Sequence, residues 1–222
     1  VDTVLRDSVY MRFYREQKVK EVMGRDPALR SRMQRITEEN IAAWGAHLEQ
    51  GRFPSERMIG LYSEEGLADF LERNALEPFR DALPPNIPGM TFGALIPEDV
   101  DLFNKTAWVD MLHSPCSWIT YRDELWTAVG NGYLQPGDYC GLEEWLVKSR
   151  GNPNYLDTCT VERKPSYYNI LFELRVEDAD GLARVEKERR EHHMQTYAND
   201  LLKRRWEKER GMALFFGFLN WR

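Results

Sequence analysis

Asp26-Pro-Ala-Leu29-Arg-Ser-Arg-Met33-Gln-Arg-Ile36-Thr-Glu-Glu-Asn-Ile41-Ala-Ala-Trp44-Gly-Ala-His-Leu48-Glu-Gln-Gly51 is the stretch that sets the fold class. Its apolar residues return every three or four positions, which places them on one face of a helix. Asp26-Pro27 reads as a cap followed by proline at the first helical position, where the missing amide costs nothing, and Gly51 reads as the stop. Upstream, Val4, Leu5, Val9, Met11, Phe13, Val19, Val22 and Met23 keep a looser helical rhythm that Gly24 ends. Two helices joined by so short a turn predict an antiparallel hairpin.

Downstream, Ser63-Glu-Glu opens a third helix through Leu67, Phe70, Leu71 and Leu76, with acids where the helix dipole favours them, and it is expected to run to Leu83. The stretch Pro84–Pro97 carries four further breaks in rhythm at its prolines and two glycines, and is read as an extended connector. Three short helices are expected after it, over Glu98–Leu112, Tyr121–Val129 and Tyr139–Lys148. The segment 166–176 suits a strand by composition and a buried helix by continuity, and no partner strand is in sight, so helix is preferred. From Gly181 to Arg210 no proline interrupts a charged helix of roughly 45 Å, whose narrow stripe is Met194, Tyr197, Ala198, Leu201 and Trp206. The chain then ends Met212-Ala-Leu-Phe-Phe-Gly-Phe-Leu-Asn-Trp221.

These elements predict a mainly α fold: an irregular multi-helix body, a proline-rich connector and a long C-terminal helix with an aromatic tail. Four parts follow: 1–83, the hairpin plus third helix; 84–97, the connector; 98–180, an acidic region of short helices; and 181–222, the charged helix and apolar tail. With 222 residues and 42% hydrophobic content the chain has ample material for a core. Its net charge of −6 is unevenly spread: residues 98–144 hold nine acids against Lys105 and Arg122, while Arg184–Arg210 holds nine basic residues against six acids. An acidic total argues against a general nucleic-acid binder, which needs a basic face for phosphate.

Few residues offer chemistry. Cys116, Cys140 and Cys159 lie 24 and 19 positions apart with no histidine at ligand spacing, so reduced, packed thiols in a reducing compartment are expected. Adjacent His192 and His193 point about 100° apart on a helix, which excludes a shared metal and assigns them to the surface. Asp110, His113, Cys116, Asp123 and Glu124 form the one local group combining a base, a thiol and carboxylates, and an acidic cleft around His113 and Cys116 is the enzymatic alternative. No phosphate cradle is present, and no cofactor is expected.

The aromatic tail therefore carries most of the functional weight. Large apolar side chains left in water forfeit roughly 1.5–3 kcal/mol each, so such an ending marks a contact with protein or membrane. Trp206, Leu214, Phe215, Phe216, Phe218, Leu219 and Trp221 are the candidate interface residues, with other subunits of a large complex as partners. Lys203-Arg-Arg205 and Lys208 beside aromatics would also suit a membrane surface, although the apolar run is too short to span one. The chain starts at Val1, which would fit removal of an organellar leader. In texture it resembles accessory subunits of respiratory or ATP synthase complexes, which implies a non-catalytic role at the mitochondrial inner membrane.

Overall fold

The computed structural model describes residues 1–23, 29–60, 62–76, 106–114, 116–149 and 179–210. Within them the chain is helical and shows no strand, so the mainly α class holds. The hairpin consists of α1 (Thr3–Met23) and α2 (Arg30–Leu48). Their direction is antiparallel, because Arg12 bonds to Asn40 while Glu16, one turn on, meets Thr37. Met33, Ile36, Ile41, Trp44 and Leu48 are all buried, as the spacing of α2 requires. Gly51 closes the hairpin's second helix with φ +66°, a backbone state glycine adopts without strain, and its amide bonds to the Leu48 carbonyl.

Beyond Gly51, α3 (Glu56–Ile59) is a single turn that the sequence pattern did not reveal, and α4 (Glu64–Arg73) follows. Ser63 caps α4 as expected, its hydroxyl accepting from the Gly66 amide at 3.1 Å. The expected continuation to Leu83 is corrected. Asn74 bonds back to the Phe70 carbonyl, Ala75 turns left-handed at φ 50°, and Leu76 is thereby laid against Phe70, Tyr62, Tyr10 and Phe13. Packing one leucine on an aromatic cluster ends the helix ten residues early.

The acidic region supplies α5 (Thr106–His113), α6 (Cys116–Thr120), α7 (Arg122–Gly130) and α8 (Pro136–Ser149). Helix α6 was not foreseen, since Ser114-Pro115 reads as a break; the chain restarts at Cys116 with Trp118 buried. One hydrophobic cluster joins Val9 of α1, Trp44 and Leu48 of α2 and Ile59 of α3 to Trp108, Met111, Leu125, Leu142 and Leu146. Residues on both sides of the proline-rich stretch thus share a core. A polar stitch reinforces it at the surface, where Asn131 donates to the Gly51 carbonyl at 2.8 Å and Arg57 donates to the Asn131 carbonyl at 2.6 Å.

The long charged helix is also corrected: it is two helices, α9 (Ala179–Glu191) and α10 (Tyr197–Arg210). The elbow between them has His193 at φ 56°, and the Met194 amide bonds back to the Arg189 carbonyl at 2.8 Å. Met194 is partly buried against the main core, and the break in the helix brings it there. Thr196 then starts α10, its hydroxyl accepting from the Asn199 amide at 3.2 Å, and Glu186 on α9 accepts from the Ala198 amide. The connector at 84–97, the segment 166–176, the cap at Asp26-Pro27 and the tail from Met212 lie outside the described residues.

Candidate functional site

Two places gather polar chemistry: the α9–α10 elbow and the joint where α5 meets the hairpin. At the elbow, the Arg189 guanidinium is buried and bonds Asp200 at 2.6 Å, donates to the Gln195 carbonyl at 3.2 Å and lies over the Tyr197 ring. Gln195 also bonds Asp200. His193 is exposed and His192 half-buried, as the surface reading expects, and both also touch the body. Trp126 has the His193 ring stacked on it at 6.1 Å and the His192 ring edge-on at 5.7 Å, with Tyr139 at 5.0 Å. Burial pushes the Tyr139 phenol up to about 12. The elbow is therefore clamped to the body by aromatic contact, and its geometry directs α10.

Beyond Tyr197, helix α10 leaves its large apolar residues uncovered. Leu201 is 44% exposed, Leu202 62% and Trp206 36%, and only Tyr197 of the expected stripe is buried. Leu202 and Trp206 are four residues apart and share a face. Arg210 lies over the Trp206 ring at 6.0 Å, and Lys203 and Arg205 flank the same helix. Of the candidate interface residues, Trp206 is thus placed on this face, while Leu214, Phe215, Phe216, Phe218, Leu219 and Trp221 lie outside the described residues.

The joint at α5 brings together part of the proposed acidic group and replaces the rest. His113 Nδ1 lies 2.7 Å from Oε1 of Glu16, to which Thr37 also donates at 3.4 Å. Asp110 accepts from Asn40 Nδ2 at 3.0 Å and from Trp44 Nε1 at 2.5 Å. Arg12 donates to Asn40 Oδ1 at 3.0 Å and lies over Trp44. Glu16 and Asp110 are both 0% exposed, whereas the His113 side chain retains 18%. Burial pushes the Asp110 carboxyl well above the usual carboxylate range and the charge of Glu16 adds to this, with the bonds from Asn40 and Trp44 pulling back.

Cys116, Asp123 and Glu124 do not join this group. Cys116 is disulfide-bonded, which corrects the expectation of three reduced thiols and leaves His113 no cysteine to activate. It also removes the cysteine argument for a reducing compartment. Cys140 is free and buried, with its thiol pushed up by burial and by Glu143. Asp123 and Glu124 sit in the first turn of α7, and Asp123 pairs with Arg122 at the surface.

Glu16, Thr37 and Asn40 are the members that sequence reasoning missed, although a signal was available. Glu16 falls seven residues after Val9 and three after Phe13, and Asn40 falls four from both Ile36 and Trp44. A polar residue in the register of an apolar stripe is either an error of reading or a buried partner.

No grouping of three or more His, Cys, Asp or Glu side chains among the described residues could hold a metal ion, and none of the described helices is long and apolar enough to cross a membrane. No family model matches the chain, and no curated protein or solved structure is similar to it.

Proposed function

We propose that this chain is a non-catalytic subunit of a larger protein assembly and that α10 is one of its docking faces. The observation that carries the reading is the exposure of Leu201, Leu202 and Trp206 on a helix whose own elbow is firmly seated. A helix that spends a buried Arg–Asp pair, an aromatic clamp and a side-chain cap on its orientation, yet leaves its leucines in water, is built to present them. Tryptophan flanked by arginine is also the composition favoured at the centre of protein interfaces. The aromatic ending from Met212 supports the same reading from sequence alone.

The host assembly proposed is a mitochondrial respiratory or ATP synthase complex, which rests on the texture of the sequence. Organelle fractionation tests that part. Docking itself is tested by size-exclusion chromatography with light scattering on native lysate. The chain should elute far above its own 26.1 kDa, and a Leu201→Ser, Leu202→Ser, Trp206→Ser variant should shift toward the monomer while its melting temperature stays within a few degrees, since surface changes usually alter stability by no more than about 0.5 kcal/mol each. An unchanged elution volume for the variant rejects α10 as a dock. Flotation with anionic liposomes distinguishes a membrane surface from a protein partner, because only the former carries the purified chain upward.

A further inference from the structure

The face of α10 that carries Leu201, Leu202 and Trp206 also carries charge among them. Arg205 lies one helical turn beyond Leu201 and Leu202 and beside Trp206, and Glu209 lies one turn beyond Arg205 and Trp206. Both charged side chains are exposed, and neither makes an ion pair or a hydrogen bond among the described residues. A surface that covers the two leucines and the indole therefore covers these charges as well. Taking a guanidinium out of water is costly unless an acid meets it, so whatever occupies this face must bring a carboxylate to Arg205.

That requirement separates the occupants. A second copy of the chain fails it. A two-fold pairing that sets Leu202 of each α10 against Trp206 of the other sets Arg205 against Lys203, and a parallel pairing sets Arg205 against Arg205. Like charges so placed oppose association. Residues 211–222 of the same chain fail it too, because they contain no Asp or Glu. An anionic membrane meets Arg205 but repels Glu209 on the same face, since its headgroups offer one sign of charge. A protein surface can set an acid and a base within one turn of each other.

We propose that α10 docks on another protein, on an apolar surface that carries a carboxylate for Arg205 and a donor for Glu209 about one turn away. An amphipathic helix with an acid among its leucines has this pattern. The proposal rests on the reading of α10 as a dock and adds to it the chemistry of the partner: the leucines and the indole supply the contact area, and Arg205 selects which apolar surface is accepted.

The test uses the full chain with a photoreactive phenylalanine derivative in place of exposed Ala198 or, separately, of Leu202, both on this face. After irradiation in native lysate, mass spectrometry identifies the cross-linked peptides. The expected adduct is a segment of one other protein that contains Asp or Glu among apolar residues. That protein is then purified and titrated with the full chain. Arg205→Met should weaken binding at least tenfold, Arg205→Lys should recover part of the loss, and exchange of the partner's acid for an amide should cost the Arg205→Met variant little more. Circular dichroism should show the same helix content in every variant. An adduct with this chain itself, with lipid or with a segment that lacks acids overturns the proposal and leaves α10 a dock, as does an Arg205→Met variant that binds like wild type. No adduct from either position rejects the dock and the proposal together.

Discussion

Gly45→Ala reverses the usual effect of removing a helical glycine, and the reason can be read from one aromatic ring. In the interior of α2, alanine should gain about 1 kcal/mol over glycine through backbone entropy. Gly45, however, faces Tyr121 at the start of α7: a Cβ there would lie 2.8 Å from Cζ and 3.1 Å from Cε1, with the hydroxyl closer still. The ring must retreat by roughly 0.7 Å to reach the ~3.5 Å at which two carbons sit comfortably. Tyr121 packs on the main core, so its retreat disturbs neighbours, and overpacking of this kind costs about 1–3 kcal/mol. Subtracting the helix gain leaves a net loss of up to about 2 kcal/mol, or up to roughly 8 °C in Tm for a chain of this length. Calorimetry or thermal circular dichroism measures it. The decisive comparison repeats Gly45→Ala in a Tyr121→Ala background, where the ring is gone and alanine should stabilise by up to about 1 kcal/mol. The same sign in both backgrounds refutes the reasoning.

Three further outcomes follow from the geometry. Ser63→Ala should cost about 1 kcal/mol by leaving the Gly66 amide uncapped, with the loss confined in hydrogen exchange to the first turn of α4. Asp200→Ala should cost about 3 kcal/mol, because it removes the carboxylate from a guanidinium that is 1% exposed, whereas Arg189→Met should cost less, since the Asp200 side chain keeps 12% exposure to water; equal losses in urea unfolding contradict this asymmetry. Trp44→Phe keeps the ring packing but loses the indole donor to Asp110, which should push that carboxyl still higher. A carboxyl raised on folding contributes its stability in acid and loses it as the pH climbs through the folded value, so that loss should move to higher pH; a curve parallel to wild type would show that the donor has no bearing on the titration.

What was legible in the sequence depended on whether one element decided its own ends. The buried face of α2 was readable because Met33 to Leu48 repeat without interruption and Gly51 supplies the stop locally. The stop of α4 was not, since nothing near Asn74-Ala-Leu76 forbids further helix; the reason lies in Tyr10 and Phe13, more than fifty residues away. The break at His192–Thr196 had the same origin in the core site that receives Met194, although Thr196 followed by Asn199 is a cap that local reading could have found. The site residues divided in the same way. His113 and Asp110 were noticed because they are neighbours in sequence, and they were given the wrong partners because sequence proximity suggested Cys116 and Asp123 while the fold supplied Glu16 and Asn40.

The two polar centres bear differently on the proposed role. A catalytic acid–base pair must meet its substrate, and the buried carboxyls of Glu16 and Asp110 are instead bonded to side chains of the helices they join. Their chemistry is spent on holding α5 to the hairpin. The elbow spends its chemistry likewise, Arg189 and Asp200 on each other and the two histidines on Trp126, and what it leaves over is an orientation rather than a reactive group. Helix α10 inherits that orientation with Leu201, Leu202 and Trp206 outward. With these two polar centres occupied internally and Leu201, Leu202 and Trp206 displayed on α10, recognition by a protein surface is the role we propose for this helix.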